Sequence, residues 1–208
     1  MPRYWACTEA ARDGRLQALG WARAMGVCRA PDACRAAAAA GRLEVLQWLH
    51  AQEPRCWDVT SLEAAARGGH LAVLQWIRAH ARGRYRVGPV CLAAAQGGQL
   101  EELKWLCAQL RAQAEPPCHP VALKWLCRHS RTWDACTCAA AARGGHLVTL
   151  QWLRAQDSPC PWDSHSCEAA AGRGDLETLQ WLCAQDPPCP WDRNSCEAAA
   201  GRGELETL

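Results

Sequence analysis

One phrase constrains this chain more than any other. Trp162 to Pro190 reads WDSHSCEAAAGRGDLETLQWLCAQDPPCP, and Trp191 to Leu208 starts the phrase again as WDRNSCEAAAGRGELETL. A fixed internal period of this length marks a repeat architecture, in which each unit buries its apolar face against its neighbours. The recurring anchor is Gly-x-Leu-x-x-Leu, with the first Leu at Leu16, Leu43, Leu71, Leu100, Leu147, Leu176 and Leu205. Successive anchors lie 27, 28, 29, 47, 29 and 29 residues apart. Inside the gap of 47, Val121 to His129 (VALKWLCRH) keeps the Leu-x-Trp-Leu part of the phrase and lacks the Ala-rich part before it. The stretch Leu110 to Ala114 (LRAQA) reads as an insertion after Gln109. Eight registers are visible, with an irregular repeat at about 107–131 and a last repeat that breaks off at Leu208. Residues 1–208 therefore read as a single array.

Each unit divides into two short helices. The first is the Ala-rich segment, such as Ser166 to Arg173, because Ala is the best helix former and its small side chain permits close approach. Thr60-Ser-Leu-Glu63 and Asn194-Ser-Cys-Glu197 have the capping-box spacing and are expected to open their helices. Gly68-Gly69, Gly97-Gly98 and Gly144-Gly145 stand where a left-handed residue ends a helix. The second helix, such as Asp175 to Gln185, places Leu176, Leu179 and Leu182 on one stripe, and Pro187-Pro188 stops it. PPCPWD is then a tight turn, too short and too rich in Pro for a paired strand. The recurring Trp, seven in second helices and four in the turns, are expected to fill the space that Ala leaves between units.

Composition limits the function classes. A net charge of +2 makes no electrostatic case for nucleic acid or an anionic membrane surface. Purely apolar runs such as Ala36 to Ala40 are far short of the ~20 residues a membrane span needs. The N-terminal residues carry no apolar signal segment, so the 15 Cys are expected as reduced thiols used as small buried groups. The expected location is the cytoplasm, with the nucleus as the alternative. Phe is absent and Arg far outnumbers Lys, a bias that follows G+C-rich codons and weakens Arg richness as a binding signal.

No chemistry breaks the repeat. Cys160-x6-Cys167 and Cys189-x6-Cys196 lack the close spacing of a zinc site, and their positions are filled elsewhere by residues such as Leu62. His70 and His146 recur at the start of second helices, where an imidazole bonds the neighbouring turn. Asp157/Asp163 and Asp186/Asp192 recur with the unit as loop or cap carboxylates. No phosphate-binding or nucleophile-elbow motif is present. No catalytic residue, metal or cofactor is expected.

Ser61-Leu-Glu-Ala-Ala-Ala-Arg-Gly-Gly69-His70-Leu71 and Thr137-Cys-Ala-Ala-Ala-Ala-Arg-Gly-Gly145-His-Leu resemble the ankyrin repeat. Cys138, Cys167 and Cys196 take the place of the family's first Leu; the Thr-Pro and first His are missing, and the connecting finger is shortened. The residues by themselves fit any α-solenoid, a tetratricopeptide or HEAT array included. The resemblance implies an all-α ankyrin-like solenoid of about seven to eight helix-turn-helix units, with incomplete terminal repeats. It also implies a non-catalytic module that binds another protein.

In an array the packing positions recur and the recognition positions vary. The variable positions are Val59, Thr60, Glu63, Ala135, Cys136, Ala139, Ser164, His165, Glu168, Arg193, Asn194 and Glu197, with the near-constant Arg67, Arg143, Arg173 and Arg202 beside the Gly loops. They are the expected partner-binding edge of a monomeric adaptor. Two alternatives stand beside it. One is a fragment of a larger protein whose effector domain lies elsewhere. The other is a binder of RNA or an acidic partner through Arg78 to Arg86 (RAHARGRYR), where charge replaces the usual turn.

Overall fold

A computed structural model describes residues 4–54, 56–80, 87–113, 134–156 and 159–201. Every regular element among them is helical. Two compact units are distinguished, Met1–Arg86 and Val87–Leu208. In the first, α1 (Tyr4–Asp13) pairs with α2 (Leu16–Ala24), α3 (Ala30–Ala39) with α4 (Leu43–Gln52), and α5 (Val59–Gly68) with α6 (Leu71–His80). In the second, α7 (Val87–Gln96) pairs with α8 (Leu100–Gln113), α9 (Ala135–Gly144) with α10 (Leu147–Arg154), and α11 (Ser164–Arg173) with α12 (Leu176–Cys183). The first helix of the next repeat, α13 (Arg193–Ala200), follows.

The first helices form the spine of each unit. α1 packs on α3 and α3 on α5; separately, α7 packs on α9, α9 on α11 and α11 on α13. Ala11, Ala37, Ala65, Ala94, Ala141 and Ala170 are all fully buried at these contacts, where a single methyl lets backbones approach closely. α9 meets α7 directly, although 47 residues separate their following Leu anchors. The stack of first helices thus passes over the place where the sequence lacks an Ala-rich segment. The insertion after Gln109 lengthens α8 to 14 residues. The half-repeat Val121 to His129 and the last repeat beyond Gly201 lie outside the described residues.

The helix boundaries have identifiable causes. Asp58, Asp163 and Asp192, each following a Trp, are the N-caps of α5, α11 and α13; they accept from the N–H of Ser61, His165 and Ser195 at 3.1, 3.1 and 3.0 Å. Asp134 caps α9 in a reciprocal box with Thr137. The expected boxes at Thr60/Glu63 and Asn194/Glu197 are corrected accordingly. These helices begin earlier, and Thr60 donates to Asp58 at 2.6 Å instead of capping. The far ends close as expected. Gly69, Gly98 and Gly145 have φ of 75°, 70° and 72°, and the next N–H reaches back to Ala65, Ala94 and Ala141 at 3.0, 2.9 and 3.0 Å.

The second helices depart from the expected stripe. Leu179 and Leu182 are buried, but Leu176 is 36% exposed, and Thr178 takes the buried place. Its hydroxyl donates to Asp175 at 2.8 Å, which satisfies the polar group inside the core. The Trp expectation is also revised. Trp48, Trp76, Trp105, Trp152 and Trp181 are half-buried, and Trp21 is 66% exposed. Leu, Ala and Cys form the core, and the indoles cover its rim. Trp125 and Trp133 lie outside the described residues.

Candidate functional site

The loops between first and second helices hold neighbouring repeats together by one recurring device. A side chain from the end of the first helix or the start of the second lies over the positive-φ glycine of the preceding described repeat. Arg42 covers Gly14, His70 covers Gly41, His146 covers Gly98 and Arg173 covers Gly145. Arg42 Nε donates to the Arg12 carbonyl at 2.9 Å, His70 Nε2 is 3.0 Å from the Ala39 carbonyl, and Arg173 Nη1 donates to the Arg143 carbonyl at 3.4 Å. These bonds satisfy carbonyls at the C-terminal ends of first helices, where a cation also complements the helix dipole. The expected structural role of His70 is met here.

The sequence-selected edge residues separate into two groups. Val59, Thr60 and Arg67 are exposed and Glu63 is half-buried on α5, in the first unit. In the second unit, His165 is exposed on α11, Arg193, Asn194 and Glu197 on α13, and Arg143 on α9; Ala135, Ser164 and Glu168 are half-buried. Ala139, expected to point outward, is 5% exposed because α9 lies between two first helices. Arg202 lies outside the described residues.

Within the second unit the structure brings three of these residues together. Arg143, Glu168 and Arg173 line a groove of about 340 Å³, floored by Ala169, Gly172 and Ala198. Three of its lining residues are ionic and three are small. Arg143 and Arg173 are not equivalent positions. Arg143 stands four residues before its Leu anchor and Arg173 three before. That offset puts Arg143 in the last turn of α9 and lets Arg173 reach back over the preceding loop.

Other edge residues are engaged locally. Ser164 donates to Asp192, and this bond is the main cause that holds the Asp192 carboxyl below its usual range. Burial tends to raise Asp58, but bonds from Thr60 and Ser61 outweigh it and hold that carboxyl low as well. His165 Nδ1 lies 3.2 Å from Asp163, and Arg193 pairs with Glu197 at 2.7 Å. Such exposed pairs add little stability. At the end of α10, Arg154 donates to the Cys160 carbonyl at 2.9 Å and lies 3.9 Å over the Trp162 ring. Of the Arg78 to Arg86 run, only Arg78, Ala79 and His80 are described, and Arg78 is half-buried at the end of α6.

The thiols hold a correction. Cys7 and Cys28 form a disulfide, with 5.5 Å between their Cα atoms, so uniformly reduced cysteines are not found. Cys7 precedes its Leu anchor by nine residues on a first helix, and Cys28 lies in the turn after the second. The fold, which returns the turn to the first helix, brings the two sulfurs together.

Among the described residues, no group of three or more His, Cys, Asp or Glu could hold a metal ion, and no helix is long and apolar enough to cross a membrane. Sequence inspection anticipated Asp163 and Asp192 as cap carboxylates and His70 and His146 as side chains on the neighbouring turn, but missed the caps at Asp58 and Asp134 and the loop-covering Arg42 and Arg173. The recurrent Trp-Asp pair signalled the caps, and a basic residue one position before Leu43 and three before Leu176 signalled the two Arg covers.

No family model matches the sequence, and no curated protein matches it. The structure is similar to the crystal structure of the human ASB11 ankyrin repeat domain, with a TM-score of 0.52 and 18% sequence identity. That match covers 94% of this chain and 96% of the other. With its helix pairs, positive-φ glycine loops and stacked first helices, the chain has the ankyrin-repeat fold.

Proposed function

We propose that the chain is a non-catalytic adaptor that binds another protein along the outward edge of its first helices. The convergence of Arg143, Glu168 and Arg173 around one groove is the observation that carries this reading. The groove offers two guanidinium groups and one carboxylate above a floor of Ala and Gly. It suits a side chain or loop with a carboxylate near one of the arginines. Val59, Thr60, Glu63 and Arg67 supply such an edge in the first unit, and His165, Arg193, Asn194 and Glu197 belong to the edge of the second. The fold supports this reading because ankyrin repeats in general serve protein–protein interaction. A monomeric protein of the cytoplasm, with the nucleus as alternative location, fits the near-neutral charge.

The test pairs binding with folding. Arg143→Glu and Glu168→Arg are combined in one variant, leaving Arg173 on its loop. The variant is expected to unfold within about 0.5 kcal/mol of the parent, as surface changes do, and to lose the partner that the parent captures. A folded variant that retains the same partner with undiminished affinity contradicts the proposal.

A further inference from the structure

The Cys7–Cys28 disulfide joins a first-helix position to a turn position, and three further cysteine pairs occupy the same two positions. They are Cys34 and Cys56, Cys138 and Cys160, and Cys167 and Cys189, each 22 residues apart against 21 for the disulfide. The first member always stands nine residues before the Leu anchor. In two other registers the pair is incomplete: Leu62 with Arg84, and Cys91 with Gln113.

The fold brings each pair into one buried contact. Cys34, Cys56, Cys138, Cys160 and Cys167 are at most 1% exposed and Cys189 is 4% exposed. Cys138 Sγ lies 3.9 Å from the Cys160 carbonyl, and in each pair the two thiols interact electrostatically. The turn thiols are seated alike in successive repeats. Cys160 Sγ lies 3.4 Å from the Asp134 carbonyl and Cys189 Sγ lies 3.3 Å from the Asp163 carbonyl. The turns themselves are held by matching bonds, from Cys160 N–H to Leu153 and from Cys189 N–H to Leu182, both 3.1 Å.

We propose that Cys34/Cys56, Cys138/Cys160 and Cys167/Cys189 are disulfide-forming sites, equivalent to Cys7–Cys28, that close by exchange with a low-molecular-weight disulfide such as oxidised glutathione. In the first pair Cys56 is the attacking sulfur. It lies in the turn, the segment that must move to admit an oxidant, whereas Cys34 is inside a helix. The interaction of the two thiols lowers the pKa of Cys56 and raises that of Cys34. The Cys56 thiolate attacks one glutathione sulfur and forms a mixed disulfide. The released glutathione thiolate takes up a proton. Cys34 then gives its proton to solvent, attacks the Cys56 sulfur and releases the second glutathione thiolate. Two protein thiols and one glutathione disulfide become one protein disulfide and two glutathione thiols. Burial makes the exchange slow, and the turn must lift before an oxidant can enter. Closure would tie each turn to its own first helix. In a reducing compartment the pairs stay as buried thiols.

The test uses the whole chain. Protein is reduced with a phosphine, equilibrated with glutathione of increasing oxidised fraction, quenched with acid, labelled with a maleimide and weighed. The fully reduced chain takes 15 labels. Closure of all four pairs is expected to leave seven labels, with cross-linked peptides joining Cys34 to Cys56, Cys138 to Cys160 and Cys167 to Cys189. Cys189→Ala should return a label to Cys167 and leave the other links in place. Because the cross-links are mapped in the unaltered chain, the test stands even where that variant fails to fold. The proposal is overturned where these six thiols stay labelled while Cys7–Cys28 closes. It is also overturned where the links map to the exposed Cys136 or Cys183 instead.

Discussion

First and second helices of the same repeat solve different packing problems. A first helix such as α11 lies between two others, α9 and α13, and also packs on its own partner, α12. Its core face is Ala169, Ala170, Ala171 and Cys167, all buried, which keeps the neighbouring backbones close. A second helix such as α12 packs mainly on its own first helix. It buries Leu179 and Leu182 and leaves Trp181 half-buried and Glu177 exposed. The lesson is that size is limiting in one layer and apolar area in the other. Enlarging a first-helix alanine should hurt, and so should shrinking a second-helix leucine, whereas the reverse exposed sites should be silent.

The largest effect is expected in the second layer. Leu182→Ala removes a fully buried side chain and should cost about 2–5 kcal/mol in urea unfolding. Ala170→Leu should cost about 1–3 kcal/mol by overpacking, whereas Ala108→Leu, at an exposed site on α8, should stay within about 0.5 kcal/mol. Equal costs for these two alanines would break the comparison. Gly145→Ala should cost about 1–2 kcal/mol, because φ of 72° strains an L-residue and the Arg173 guanidinium already occupies the space of a Cβ.

Asp58→Ala should cost about 1 kcal/mol through loss of the α5 cap. The Asp58 carboxyl is held below the ordinary value of 3.8 in the folded chain, so its contribution is fully present above that value. It is lost as the pH falls further, and Asp58→Asn should flatten that part of an acid unfolding curve. The smallest effect is expected for Trp21→Ala. That ring is 66% exposed, and its loss should change stability by no more than about 0.5 kcal/mol.

The architecture was legible because its signals are local and recur. Leu anchors, Ala segments and Gly loops mark helix pairs without any knowledge of the fold. Three features were less legible for physical reasons. Thr60-x-x-Glu63 satisfies a capping pattern, but Asp58-x-x-Ser61 satisfies another two residues earlier, and the carboxylate is the stronger acceptor. Leu176 shares a stripe with Leu179 and Leu182, yet Thr178 is buried because Asp175 satisfies its hydroxyl, a side-chain bond that hydropathy ignores. The candidate edge was visible as variation in a repeated phrase. That Arg143, Glu168 and Arg173 share one groove depends on the stacking of α9 and α11, and that Cys138 meets Cys160 depends on how the turn folds back.

The central claim, that close-packed first helices hold each stack together, is tested most directly by native-state hydrogen exchange. The account predicts that amides in α9 and α11 exchange more slowly than those in α10 and α12, since each of the first pair has first-helix neighbours on both sides. Protection in α10 and α12 equal to or greater than that in α9 and α11 would contradict it.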